Sequence, residues 1–280
     1  MAGPLAGRIV MVTGGGRGIG RTLALGLAGA GADVAVVART RPEVDAVARD
    51  VEELGRRALA ITADVGSPAS ARRAVNECVR RLGAPDVLVN AAAIQGPIGR
   101  FDTLQLEAWS RVVEINLMGM VFVTHAALQH MVASRRGKIV NLSGGGSASP
   151  RPQFSAYAAS KAAVVRLTET LAVELGAVNV QVNAVGPGAT RTRMTEEVVN
   201  AGAAAGRTAL TEALETLRTG GTAPAKQVAL VTFLASDASN HVTGRFIHVN
   251  DPWQELLCGD APLGDLFTLR RVDPAPVTGR

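Results

Sequence analysis

Short, continuously apolar runs recur along this chain, and each gap between them holds one helix-length stretch. The runs at 8–12, 33–37, 58–62, 86–90, 138–142, 179–184 and 246–249 read as strands. Helical patterns fill 21–30, 43–54 and the stretches near 69–82, 107–133, 156–176 and 225–236. A strand with no polar face is buried on both faces, which in an alternating chain means a parallel sheet between two helical layers. The expectation is an α/β fold with about seven strands and right-handed crossovers. Two segments break the rhythm: 194–222, rich in Ala, Gly and Thr, and 251–280, which carries Pro252, Pro262, Pro274 and Pro276.

The length of 280 residues suits one large α/β domain or two small ones. Hydrophobic residues at 47% are enough for a core, but aromatics at 3% leave Ala, Val and Leu to build it. Cys78 and Cys258 provide neither a disulfide framework nor metal-ligand spacing, and the five-residue step from His125 to His130 favours no shared helical face. No metal site is expected. The first eight residues lack a charged start followed by an apolar run, and no stretch of about 18 residues is uninterruptedly apolar. A cytoplasmic protein without a membrane span is expected. The formal charge is +5, yet the arginines fall in scattered pairs such as Arg56-Arg57 and Arg80-Arg81, without interleaved aromatics. They read as solvated helix faces, and no nucleic-acid partner is expected.

The first strand runs directly into Thr13-Gly14-Gly15-Gly16-Arg17-Gly18-Ile19-Gly20, and a helix follows. Glycines let a backbone turn tightly and approach a pyrophosphate, while a helix N-terminus offers free N–H groups and a positive dipole end. At the end of the second strand a fold that takes NAD usually places an acid for the ribose 2′-hydroxyl. Here Ala38 stands in that place, followed by Arg39, Thr40 and Arg41. An arginine pairs with a 2′-phosphate where a carboxylate repels it. Arg39, with Arg17 nearby, therefore predicts NADP(H) in preference to NAD(H).

Tyr157, the only tyrosine, lies four residues before Lys161, one of three lysines. On a helix those positions share a face. A phenol is a weak acid at neutral pH, and a nearby fixed cation favours its ionised form. Proton exchange with an alcohol or ketone oxygen needs such a group.

Together these motifs resemble the classical short-chain dehydrogenase/reductase family, over residues of about 6 to 252. Thr13, Gly14, Gly16, Gly18 and Gly20 match the family's cofactor loop; Asp64-Val65 matches its adenine contact; Asn90-Ala91-Ala92-Ala93 resembles its strand-four Asn-Asn-Ala-Gly element with two substitutions. Asn116 matches its structural and catalytic asparagine, and Tyr157 and Lys161 its catalytic pair. The stretch Asn183-Ala184-Val185-Gly186-Pro187-Gly188, with Thr190 and Thr192 beyond it, resembles the loop that holds the nicotinamide carboxamide. The resemblance implies a doubly wound Rossmann fold and hydride transfer between nicotinamide and a carbonyl or carbinol carbon of a small molecule. Tyr157 would act as acid or base, Lys161 would lower its pKa and bind ribose hydroxyls, and Asn116 would hold a relay water. A homodimer or homotetramer is implied as well, with Trp109 and the helix near 107–133 at the contact.

One element departs from the family. The serine that steadies the substrate oxygen, usually thirteen positions before the tyrosine, is Gly144 here. Ser143 is one position early and Ser147 three late. A one-residue slip at a strand end turns a side chain to the other face, unless a bulge restores it. Three readings stay open: Ser143 or Ser147 serves; the substrate or Gln153 compensates; or the site performs epimerase or dehydratase chemistry without net redox change, or is a non-catalytic nucleotide-binding scaffold. Residues 194–222 occupy the family's substrate lid. Gln95, Ile98, Gln153, Phe154, Gly188 and Met194 would line a neutral pocket, with Arg191 and Arg193 at its edge. The tail after 252 is too apolar for a free end, and Trp253, Leu256, Leu257, Leu263, Leu266, Phe267 and Leu269 are expected to dock on their own or a neighbouring subunit.

Overall fold

The computed structural model describes residues 3–257 and 263–270. Seven parallel strands form one sheet in the order β3-β2-β1-β4-β5-β6-β7. In chain order the elements are β1 (Ile9–Thr13), α1 (Gly18–Gly29), β2 (Asp33–Ala38), α2 (Arg41–Glu53), β3 (Ala58–Thr62), α3 (Pro68–Arg81), β4 (Val87–Asn90), α4 (Leu106–Val113) and α5 (Gly119–Ser134). They continue as β5 (Gly137–Leu142), α6 (Ser155–Leu175), β6 (Val180–Gly186), α7 (Arg193–Ala201), α8 (Arg207–Thr219), α9 (Pro224–Ala235), β7 (Phe246–His248) and α10 (Trp253–Leu257).

The double winding is visible in the burial of alternate strand residues. Val10, Val12, Val34, Val36, Val89 and Val140 face one layer, packed against Leu23 and Leu27 of α1, Val44 and Val47 of α2, and Leu230 and Leu234 of α9. Met11, Ala35, Val37, Leu88 and Ile139 face the other, against Val75 and Cys78 of α3, Val123 and Met131 of α5, and Ala172 of α6. Both faces being covered is what the continuously apolar strands require.

The helix expected near 107–133 is instead two helices joined by a π-helical segment, Glu114–Met118. A wide turn of this kind inserts one residue and commonly marks a functional position; Asn116 sits in it. The run Leu106–Ser134 is 29 residues long and apolar enough, by composition alone, to cross a bilayer. Half of it is buried inside the fold, where Val112, Ile115, Val123 and Met131 meet the core, so its apolar face is already occupied.

Residues 194–222 form most of α7 and all of α8, joined by a 3-10 turn at Gly202–Ala205. These helices close over a small separate cluster of Phe154, Val198, Ala205 and Ala213. The described part of the tail, 253–257 and 263–270, lies along the outer edge of the sheet. Trp253 is buried, its ring 5.4 Å from that of Phe233. Leu263 and Phe267 pack against the core, the Phe246 N–H donates to the Phe267 carbonyl at 2.6 Å, and the Leu269 N–H donates to Glu169 Oε1 at 2.7 Å. Leu266 is exposed. Cys258, Pro262, Pro274 and Pro276, with the side chains of Leu256 and Leu257, lie outside the described residues.

Candidate active site

The sheet order reverses between β1 and β4, since β2 and β3 extend to one side and β5 to β7 to the other. Ligands of open α/β sheets bind at this switch point, beyond the carboxyl ends of the strands. Thr13 closes the floor of the crevice: its Oγ1 accepts the N–H groups of Ala91 at 3.2 Å and Ala92 at 3.3 Å, tying the end of β1 to the end of β4. A Cβ on Gly20 would stand 2.1 Å from the Gly14 carbonyl oxygen, so only glycine lets the first turn of α1 close on the loop. The N-terminal N–H groups of α1 then face the crevice.

The crevice holds about 570 Å³. Gly14, Gly16, Arg17, Gly18, Ile19 and Gly20 form one wall; Arg39, Thr40, Asp64 and Val65 form the far end. Ala91, Ala92 and Gln95 follow from β4, and Ser143, Tyr157 and Lys161 close the opposite end, with Pro187, Thr192 and Met194 overhead. Several expected site residues lie outside this lining, Ile98 among them, packed against the Phe154 cluster. Thr13 and Asn90 are interior braces, the Asn90 amide donating to Thr124 Oγ1 and Asn141 Oδ1. Gly188 and Thr190 shape the loop after β6, and Thr190 Oγ1 accepts from Gln227 Nε2 at 2.7 Å. Phe154 is buried in the cluster beneath α7 and α8, and the Gln153 carbonyl accepts the Gly99 N–H.

Asn116 lies just behind the lining. Its Oδ1 accepts the Ile94 N–H at 2.8 Å, and its Nδ2 donates to the Ile94 carbonyl at 3.0 Å and to Ser160 Oγ at 3.2 Å. Ser160 Oγ in turn donates to the Tyr157 carbonyl at 2.7 Å. The π segment thus fastens the β4 loop to α6 within one turn of Tyr157.

At the Tyr157 end of the crevice, Lys161 Nζ donates to the Leu142 carbonyl at 2.7 Å and stands 5.7 Å from the centre of the Tyr157 ring. Burial pushes the Lys161 ammonium down to about 8. Burial pushes the Tyr157 phenol up from its ordinary value, opposed by the positive charge of Arg151. The Arg151 guanidinium lies 4.1 Å over the Phe154 ring and 5.5 Å from the Tyr157 ring. Ser143 Oγ donates to the Lys161 carbonyl at 3.2 Å and Ser147 Oγ to the Gly144 carbonyl at 2.7 Å, so both hydroxyls near the missing serine are engaged with backbone. A Cβ at position 144 would fall 2.5 Å from the Tyr157 hydroxyl oxygen. The phenol occupies the space a side chain there would need.

Two residues were not anticipated. Glu43, in the first turn of α2, lines the far end of the crevice and accepts from Arg17 Nη1 at 3.4 Å; an acid one helical turn past β2 is the only signal of it in the sequence. Arg17 is therefore paired, whereas Arg39 makes no hydrogen bond or ion pair among the described residues. Arg151 is the other. Its partners are aromatic faces, which no spacing rule would have joined to it. Trp109, expected at a subunit contact, donates its indole N–H to Ser155 Oγ at 3.1 Å within the same chain. Among the described residues no cluster of His, Cys, Asp or Glu could hold a metal ion.

The doubly wound sheet and a glycine loop at its switch point define a protein of the dinucleotide-binding α/β class. Residues 8–202 match the family model of the short chain dehydrogenases. The chain is 36% identical over 251 residues to cis-4-hydroxycyclohexanecarboxylate dehydrogenase of Sinomonas cyclohexanicum, covering 89% of this chain and 98% of that one. Among solved structures it is similar to a gluconate 5-dehydrogenase from Burkholderia cenocepacia in complex with NADP and tartrate, at TM-score 0.79 and 32% identity, covering 90% of this chain and 96% of that one. Carveol dehydrogenase from Mycobacterium avium in complex with NAD also superimposes at TM-score 0.79, with 27% identity and 88% and 97% coverage. The chain belongs to the short-chain dehydrogenase/reductase family and is a dehydrogenase/reductase enzyme.

Proposed function

We propose that the protein is an NADP(H)-dependent oxidoreductase that interconverts a small carbonyl compound and its alcohol, with Tyr157 exchanging the proton on oxygen. The observation that carries this reading is the placement of Tyr157 and Lys161 at one end of the crevice, opposite the unpaired Arg39. A bound nicotinamide dinucleotide supplies or accepts the hydride, chemistry no side chain here provides. The chain's own residues suit such a group: the close loop at Gly14 and Gly20 admits a pyrophosphate, the N-terminus of α1 complements its charge, and Arg39 offers a fork for a 2′-phosphate.

In reduction Tyr157 donates its proton to the carbonyl oxygen; in oxidation it withdraws the alcohol proton. Lys161 keeps positive charge behind the phenol below about pH 8 and, by the family resemblance, holds ribose hydroxyls. Asn116 keeps the β4 loop and α6 in register and, by the family resemblance, would hold a relay water. Gln95 lines the same space and has a buried Nε2 donor without a partner among the described residues, which supports a polar ligand group near it. With Met194 overhead and helices α7 and α8 as a lid, a neutral or weakly polar substrate fits. By the family resemblance a homodimer or homotetramer forms through the long α4–α5 face, where Leu106, Met118 and Val132 are exposed.

Glu43 supports a second cofactor reading, because a carboxylate at that end of the crevice suits a free 2′-hydroxyl and hence NAD(H). Steady-state kcat/KM with NADPH and with NADH, over a panel of cyclic and linear ketones, separates the two. Wild type is expected to prefer NADPH, and Arg39→Ala to lose about tenfold or more with NADPH alone, the size of one charge-assisted contact. A preference for NADH that Glu43→Gln abolishes would transfer the assignment to NAD(H).

A further inference from the structure

Arg151 is a half-buried guanidinium without a hydrogen bond or ion pair among the described residues. Burial disfavours its charge, and the opposing influences are Tyr157 and Glu212. Such an arrangement costs stability unless the charge acts on something. Its side chain lies beside the glycine run at 144–146, where a Cβ at Gly146 would stand 3.1 Å from Arg151 Cβ and 2.7 Å from Ala158 Cβ, and its guanidinium lies 4.1 Å over the Phe154 ring and 5.5 Å from the Tyr157 ring. The same run begins with Gly144, where the phenol fills the place of the missing serine. The loop thus lacks a hydroxyl donor at 144, and the Arg151 guanidinium stands 5.5 Å from the phenol ring.

We infer that Arg151 is the positioning cation of the Tyr157 phenol, poising it for proton exchange in the place of the serine this chain lacks. The inference rests on Tyr157 being the acid/base. Other charged groups around the phenol are accounted for. Lys161, on the same helix, donates to the Leu142 carbonyl and stands 5.7 Å from the ring centre, a second cation beside the 5.5 Å of Arg151. From the lid, Glu212 of α8 faces Arg151 and moderates its field. Glu196 and Glu197 of α7 reach the crevice, Glu197 with Arg193 at 3.7 Å. Arg151 is the nearby cation whose charge opposes the burial of the phenol. Removing it raises the phenol's pKa. In the oxidation direction, where the phenolate is the base, the rising limb of the pH profile then moves to higher pH. In the reduction direction, where the protonated phenol is the acid, the alkaline fall-off moves the same way.

Because Tyr157 is the sole tyrosine, its ionisation can be read directly from tyrosinate absorbance, without substrate. Arg151→Met, which keeps the stem on Phe154, is expected to move the titration midpoint up by about one unit, within the range for loss of a neighbouring opposite charge. Arg151→Lys, which keeps the charge, should stay within a few tenths of a unit of the parent, and the pH profile of kcat/KM should follow both. Glu212→Gln, at an exposed lid position, should lower the midpoint by a few tenths and serves if Arg151→Met does not fold. An unmoved midpoint in a folded Arg151→Met, or in Glu212→Gln where that variant stands in, overturns the inference. A rise in KM without a pH shift also overturns it, placing Arg151 in substrate binding instead. Tyr157→Phe separates this from the acid/base reading: turnover surviving that change sinks the acid/base assignment, whereas an unmoved midpoint beside an inactive Tyr157→Phe sinks only the role of Arg151.

Discussion

Gly144 is where a single residue most constrains the chemistry. From the sequence it is a missing donor, with the substitute left open. In the structure a Cβ there lies 2.5 Å from the Tyr157 hydroxyl oxygen, inside any real contact, so the phenol must move before a serine fits. Displacement of a reacting group by about 1 Å can cost ~10² in rate. Gly144→Ser should therefore lower kcat by that order while leaving the dissociation constant of NADPH within about twofold; stopped-flow turnover and fluorescence titration measure the two. A raised kcat would show that the pocket tolerates the hydroxyl and lacked only the donor. The Tyr157–Lys161 face was legible because helical spacing alone brings i and i+4 together. Arg151 was not, because its contacts are with ring faces and with space left by glycines, and neither leaves a pattern in a sequence. Glu43 was missed for a related reason: the side chain crosses from α2 to the loop before α1, a tertiary contact with no local signature.

At the scale of elements, strands were the most readable part, since burial on both faces leaves uninterrupted apolar runs. Their ends shifted by one or two residues, as at β6, which runs Val180–Gly186 against an expected 179–184. The π segment was invisible because an inserted residue does not disturb apolar periodicity within one turn; only the Asn116 contacts reveal why it is there. Helices α7 and α8 were hidden by their Ala, Gly and Thr content, which reads as a loop, yet Val198 and Ala213 bury against Phe154, and Met194, Glu196 and Glu197 of α7 line the crevice. The tail acts on β7. Its Phe267 carbonyl takes the Phe246 N–H, Arg166 Nη2 donates to the Leu269 carbonyl, and Arg245 Nη1 donates to the Gly264 and Leu266 carbonyls. An uncovered edge strand is a template for pairing with another chain. A variant ending at residue 262 should lose about 2–4 kcal/mol, from a few hydrogen bonds and two half-buried apolar side chains. It should also form larger species in sedimentation velocity. An unchanged melting temperature and unchanged sedimentation would show that the tail contributes nothing to that edge.

Across the whole molecule, one topological fact organises the rest. The reversal of strand order between β1 and β4 opens a crevice, and the motifs that carried the family resemblance fall at or just beyond the carboxyl ends of strands, except Tyr157 and Lys161 on α6 and Asn116 in the π segment. Motif order along the chain could give the fold because each loop follows a strand of known place in the sheet. Cofactor choice was not legible to the same degree, because it depends on whether Arg39 or Glu43 governs one end of that crevice, which is a matter of side-chain placement. The central claim is that a phenol at the other end moves the proton. Its most direct measurement is turnover and NADPH binding by Tyr157→Phe, assayed with the carbonyl substrate that wild type reduces best. The account predicts loss of turnover by at least ~10², the lower end of what positioned acid–base catalysis contributes, with NADPH affinity within about twofold of wild type. Turnover undiminished by the change would contradict it.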